Sequence, residues 1–398
     1  MMLRMFAIVA LTALSMQAQK KTVLYAAVGP ELTEYDLDTA TAALAKKTSL
    51  TLPANIQEAW PSPDRKFLYV AWSNGGASNT PANGATPKGN QHGISALRID
   101  PATGALTPEG QPAKLSSRPI FITVDVPGTH VIAAENDPSM LEVYNIQRDG
   151  TLGERVPQSA SLDFGIYGHQ VRTDPSGKTI VLITRGNGPT TTKPEDPGAL
   201  KIFGYKDGVL GNLESVAPDK GFGYQVRHLD FHPSGKWIYV TLERQNQLHI
   251  YTRTPDGHIG ESPLFVKSTL MKTMKESSGQ TAASIHVSPN GKFVYVANRA
   301  ANVTGENSIA VFAIDQQTGE PTLIQSIPTQ GFEPRTFSID SSGKILIVAN
   351  QNARPNSAAG LSVFKIGSDG RLEFVKKYEV DTGIGRSLFW AGIITTAN

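Results

Sequence analysis

One pattern returns six times along this chain and leaves few folds open to it: a short apolar strand, a tight turn, and a second strand of branched and aromatic residues. The turns are Ser62-Pro63-Asp64, Val126-Pro127-Gly128, Asp174-Pro175-Ser176-Gly177-Lys178, His232-Pro233-Ser234-Gly235-Lys236, Ser288-Pro289-Asn290-Gly291-Lys292 and Asp340-Ser341-Ser342-Gly343-Lys344. The runs that follow them, such as Phe67 to Val70, Trp237 to Val240, Phe293 to Val296 and Ile345 to Val348, carry the residue types that sheets favour. A third strand comes next, as at Ile309 to Ile314 or Leu361 to Ile366, usually closing in a glycine turn such as Asp315 to Gly319 or Gly367 to Gly370. Each unit reads as a four-stranded antiparallel meander of about 50 residues, which cannot bury both faces alone and must stack on its neighbours.

The ends of the chain complete the count. Thr22 to Ala45 has only the later strands of a unit, and Arg386 to Ile393 can supply the missing inner strand. The expectation is an all-β fold: one domain over residues 19–398, a seven-bladed β-propeller whose termini pair and so remove the open edge. A linear β-solenoid is the structural alternative. Gly 37 and Pro 26 in 398 residues suit a turn-rich chain. Two insertions, Gly75 to His92 and Gly186 to Gly198, follow second strands and read as mobile loops on one rim.

Composition removes several function classes. Only 18% of residues are charged and the net charge is +2, which excludes a nucleic-acid footprint by bulk charge. With no cysteine there is no disulfide, thiolate metal site, Cys nucleophile or lipoprotein anchor. Residues 1–18 have the layout of a secretory signal peptide: Arg4, an apolar run from Met5 to Met16, and Ala18 at the cut, with Met16 an imperfect match to the small-residue rule. That run falls short of the roughly 20 residues that span a bilayer. The mature chain is thus expected to be exported, periplasmic or secreted, with no membrane span.

In a propeller the first strand of each blade lines the channel, so equivalent repeat positions form rings. Counted from the turn Pro (Ser341 in the last copy), six residues earlier stand Gln57, Phe121, His169, Arg227, Ala283 and Arg335. Ten residues later stand Ser73, Asp137, Arg185, Glu243, Arg299 and Gln351. Four arginines against Glu243 and Asp137 make a cationic mouth that draws in anions, and arginine's planar fork suits carboxylate or phosphate.

At this point the residues match a family. Gly168 to Pro175, Val226 to Pro233, Tyr239 to Glu243, Tyr295 to Arg299, and Pro334 to Asp340 followed by Ala349-Asn350-Gln351 resemble the β-propeller lactonase family. It includes the propeller type of 6-phosphogluconolactonase and the fungal carboxymuconate-lactonizing enzyme. The resemblance covers essentially the whole mature chain. It implies that His169, Arg227, Glu243 and Arg299 are the functional residues, with Arg335 nearby. The chain departs from its relatives at Ser284, where an acidic residue is frequent, at Thr184-Arg185 in place of Asp-Leu, and at Glu135-Asn136-Asp137 in place of Asn-Tyr-Gly. These changes bear on the substrate and leave the architecture intact.

Lactone hydrolysis needs a base for water and cations or N–H donors for the developing oxyanion. Glu243 and His169 share the first role, one as base and the other as proton donor to the leaving alkoxide; Arg227 and Arg299 take the second. Arg335, Arg185, Gln351, Asn298 and His228 are the candidate substrate-binding residues, although Arg185 also reads as a solvated rim charge. His228 and His232 share a strand face with no carboxylate at metal spacing, so no metal site is expected. His286 reads as a packed core residue. No Gly-x-Ser-x-Gly elbow and no dinucleotide or phosphate-loop glycine spacing occurs, and no cofactor is implied. The leading expectation is a hydrolase of an anionic or sugar lactone, 6-phosphogluconolactonase-like. The alternatives are a cycloisomerase of the carboxymuconate type and a non-catalytic exported ligand-binding propeller.

Overall fold

The computed structural model describes residues 20–76, 88–271, 279–300, 305–352 and 357–397; the leader expected at 1–18 and the middle of the Gly75 to His92 insertion lie outside them. Among the described residues, 28 strands form seven four-stranded antiparallel sheets, the blades of a propeller. Six blades use consecutive strands. The seventh takes its inner strand, Leu388–Thr395, from the carboxyl end and pairs it with Thr22–Val28. The expected closure by the two termini is what the structure shows.

The second strand of a blade is the most deeply sequestered. Phe67–Ser73, His130–Asn136, Thr179–Thr184 and Trp237–Leu242 are buried along their whole length. Neighbouring blades cover both faces, so these strands read as continuous apolar runs without polar alternation. The core lies between blades: Val181, Ile183 and Ile202 of blade three pack with Val226, Leu229 and Val240 of blade four. Each such fully buried side chain stabilises by about 1.5–3 kcal/mol.

A repeated bracket sets the angle between blades. The Tyr69 hydroxyl donates to the Gly150 carbonyl of the next blade at 3.0 Å, Tyr239 to Gly319 at 2.8 Å and Tyr295 to Gly370 at 3.0 Å. Gly150 has φ +87°, and a Cβ there would lie 2.1 Å from the Phe67 ring. The close approach of tyrosine, ring and turn therefore demands glycine.

Where the inner strands reach the mouth, their pairing is interrupted. The ladder skips Gln57, His169, Arg227, Arg335 and, in the closing blade, Phe389. These are β-bulges, which leave one residue unpaired and re-aim its side chain. In blade two the skipped residue is Ile120, one before Phe121, and in blade five the shift spans Ala283 and Ser284. The insertion from Gly186 to Gly198, expected to be mobile, is tied down instead: the Gly198 N–H donates to the Gly221 carbonyl at 2.9 Å, and Glu195 accepts from the Gly223 N–H at 3.2 Å.

Candidate active site

Glu243 stands just beyond the end of its second strand, and its backbone bridges two inner strands. Its N–H donates to the Gln225 carbonyl at 2.8 Å, and its carbonyl accepts from the Ala282 N–H at 2.9 Å. Thus fixed, the carboxylate faces three arginines from three blades. Arg185 Nη1 lies 2.8 Å from Oε2, Arg299 Nη2 2.5 Å from Oε1, and Arg227 Nε 3.4 Å from Oε1. The last is an ion pair too long for a good hydrogen bond, and Arg227 Nε has no hydrogen-bond partner. The two register rings therefore converge here.

The three guanidinium groups are not equivalent. The Arg227 side chain is 1% exposed, against 18% for Arg299 and 25% for Arg185, so Arg227 supports the site from beneath while the other two face the opening. Arg185 also lies over the Tyr167 ring at 4.3 Å, so it is an integral part of the cluster. Burial would raise the Glu243 pKa, but Arg185, Arg299 and Arg227 together hold it far below the usual carboxylate range. A carboxylate so stabilised is a poor base near neutral pH.

His169 is buried beside this cluster. Desolvation, then the charges of Arg227 and Arg185, hold its imidazole well below its ordinary pKa, so it is neutral, and its Nδ1 has no partner. Arg335 reaches the mouth from blade six with its guanidinium 3.9 Å above the Phe389 ring. No carboxylate pairs with it among the described residues. Burial and the charges of Arg299 and Arg118 push its pKa down to about 9, so it stays cationic at neutral pH. Gln351 donates to the Ser387 hydroxyl at 3.4 Å on the same rim.

Other sequence-derived candidates stand elsewhere. Asn298 is fully buried and donates to the Thr269 carbonyl at 2.7 Å, so it fastens a neighbouring loop and does not face the opening. His228 lies on the far side of His169, against Phe121, and lines a cavity that opens toward the interstrand turns. Asp137 is 66% exposed and pairs with Lys88, leaving Glu243 as the carboxylate among these arginines. His286 is no packed core residue: its side chain is 39% exposed on that same cavity. Two mouth residues escaped the sequence reading. Phe389 is a bulge residue of a strand contributed by the other end of the chain. Arg118 sits in the connection entering an inner strand, three residues off the register position. It donates from Nε to Gln57 Oε1 at 2.9 Å, and its guanidinium faces Tyr167. Its signal was an arginine directly before Pro119 at a strand entrance.

A family model for "Lactonase, 7-bladed beta-propeller" matches residues 22–384. The chain belongs to that lactonase family. It is 30% identical over 273 residues to a 6-phosphogluconolactonase of Bacillus subtilis, covering 66% of this chain and 71% of the relative. A 6-phosphogluconolactonase of Klebsiella pneumoniae is 27% identical over 334 residues, with 83% and 87% coverage. Among solved structures, the periplasmic gluconolactonase of Pseudomonas aeruginosa superposes with a TM-score of 0.69 at 20% identity, covering 91% of this chain and 97% of that one. This likeness shows the shared fold. At the level of the lactonase family, the chemistry is lactone hydrolysis.

Proposed function

We propose that the protein hydrolyses a sugar lactone carrying an anionic substituent, a carboxylate or a phosphate, at the arginine-lined mouth of the channel. One observation carries this reading: a neutral histidine with an unpartnered nitrogen stands beside arginines of which only part of the charge is neutralised by Glu243. Arg335, unpaired and partly open to solvent, takes the substituent; a planar guanidinium pairs bidentately with either group. The lactone carbonyl oxygen accepts from Arg299 and Arg185, which stabilise the oxyanion as it forms. His169 draws a proton from the attacking water. The carbon–oxygen bond to the ring oxygen then breaks, and that oxygen takes the proton back from His169, giving the open hydroxy acid. Burial lowers the His169 pKa first and the arginine charges lower it further; an arriving anion offsets the second effect and so makes the imidazole a better base. Glu243 holds the arginines in register and is not the base. The leader-like layout of residues 1–18 supports an activity outside the cytoplasm, and the named activities of the relatives support the reaction class.

The test combines product mass and variants. Incubation with δ-gluconolactone, its 6-phosphate and carboxylated lactones should give products heavier by one water, and His169→Gln should lower kcat by about 10²–10⁴, the usual contribution of general base catalysis. A product of unchanged mass would show isomerisation. No turnover of any lactone would leave a binding protein.

A further inference from the structure

The channel is divided. His169 and His228 lie with ring centroids 5.2 Å apart, and Phe121 meets His228 edge-on at 5.7 Å. Beyond this layer, toward the interstrand turns at Pro63 and Pro289, is a second cavity of about 390 Å³, within the size range of small-molecule sites. None of the arginines around Glu243 lines it.

Its chemistry is the opposite of the mouth's. The cation on its wall, Arg172, is already paired with Asp230 at 2.9 Å and lies over the Trp60 ring at 5.1 Å. Asp230 is further engaged by the Val287 N–H at 2.9 Å and faces His286 Nδ1 at 3.7 Å. Arg65 belongs to the turn at the rim. Glu58, the acid on the wall, is 7% exposed. Burial raises it to about 8 against the Ala59 N–H, the Trp390 indole and the charges of Arg335 and Arg172, so at neutral pH it is an uncharged carboxyl able to donate. Thr336 also lines the cavity, and its buried hydroxyl has no hydrogen-bond partner. The aromatic side chains of Trp60, Phe121, Phe337 and Trp390 also line it, with aliphatic residues such as Ile285 and Ile393 between them.

From this geometry we infer that the lower chamber is a second ligand site, separate from the lactone site, for a neutral polyhydroxylated molecule of about monosaccharide size. Aromatic faces cover the C–H faces of such a ring, while the Glu58 carboxyl and the Thr336 hydroxyl answer its oxygens. Of the two arginines on the lining, Arg172 is held by Asp230 and Arg65 stands at the rim, so among the described residues the interior offers an anion no free guanidinium.

Calorimetry on the full mature chain tests this with D-glucose and myo-inositol as probes and D-gluconate as the charged control. Expected are saturable one-to-one binding of a neutral probe in the millimolar range, survival of that binding in Arg335→Met, and no displacement by gluconate. Thr336→Val, which keeps the shape and removes the hydroxyl, should weaken binding up to about tenfold, the worth of one neutral hydrogen bond. Affinity in the wild type should fall between about pH 6 and about pH 9 as Glu58 ionises, and Glu58→Gln should abolish that fall. Arg172, Arg65, His228 and His286 line the same chamber, Asp230 touches Arg172 and His286, and Arg335 acts on Glu58 by its charge from the mouth side, so the Gln variant is the control that assigns the pH effect. No saturable binding of either probe, binding lost in Arg335→Met, or binding indifferent to both chamber variants would overturn the inference. Lactone turnover is measured separately, so neither result decides the other.

Discussion

Replacing Glu243 by glutamine removes one charge from among three, and the structure says what that costs. Arg185 and Arg299 are 25% and 18% exposed and keep part of their hydration, whereas Arg227 at 1% is left as a buried cation with no counter-charge. Breaking a buried pair costs about 3–5 kcal/mol. The 3.4 Å Arg227 contact and the two hydrated partners place this one near the low end, about 3 kcal/mol. Urea unfolding at pH 7 followed by tryptophan fluorescence measures it. The double variant Arg227→Met with Glu243→Gln should regain at least half the loss, because it removes the stranded charge as well. The sign with pH follows from the depressed carboxylate: its stabilisation is complete above the unfolded value of about 4.3 and is lost as pH falls toward the folded one. The gap between wild type and Glu243→Gln should therefore hold from about pH 5 to about pH 8 and narrow below about pH 4. A loss under about 1 kcal/mol at pH 7, or a gap unchanged in acid, would refute the reasoning.

Three further outcomes can be checked. Arg335→Met should raise KM for a phosphorylated or carboxylated lactone by about 10- to 100-fold, one charge-assisted interaction, and leave KM for neutral gluconolactone nearly unchanged; equal effects on both would deny it the anion. Glu135, fully buried with its Oε1 unpartnered, is raised to about 7, mainly by desolvation. A raised acid lowers stability as pH climbs from its unfolded value through its folded one, so Glu135→Gln should stabilise the chain at about pH 8 and not at about pH 4 by thermal melts, and the reverse order would contradict the assignment. Gly150→Ala should cost about 1–3 kcal/mol in the same urea assay, since φ +87° strains any side chain there and Phe67 blocks its Cβ.

The fold was legible because the propeller repeats its physics. Phe67 to Val70 and Trp237 to Val240 are apolar without alternation since both faces of the second strand are covered, and the turn residues recur since each blade needs the same reversal. The site was legible only as far as the register held. Counting from the turn found His169, Arg227 and Arg335, yet it carried no sign that these residues are bulges, because a bulge is a property of the pairing and leaves no fixed residue type behind. It misassigned Asp137, which follows a second strand but turns outward to Lys88, and Asn298, expected to bind substrate, instead spends its amide on the Thr269 carbonyl. Phe389 and Arg118 were invisible to it for one reason: both reach the mouth from segments outside the six clear repeats' register. The share of Glu243 in the chemistry also depended on distance. Two rings of ionisable side chains can be counted in a sequence, but that three arginines close on one carboxylate and hold it ionised is a matter of ångströms.

The most direct test of the central claim is acid release in a pH-stat from δ-gluconolactone and its 6-phosphate by the purified mature chain, with spontaneous hydrolysis subtracted and His169→Gln run alongside. The account predicts release that favours the anionic lactone and falls to near background in the variant. Equal release by His169→Gln, or no release above background from either lactone, would contradict it.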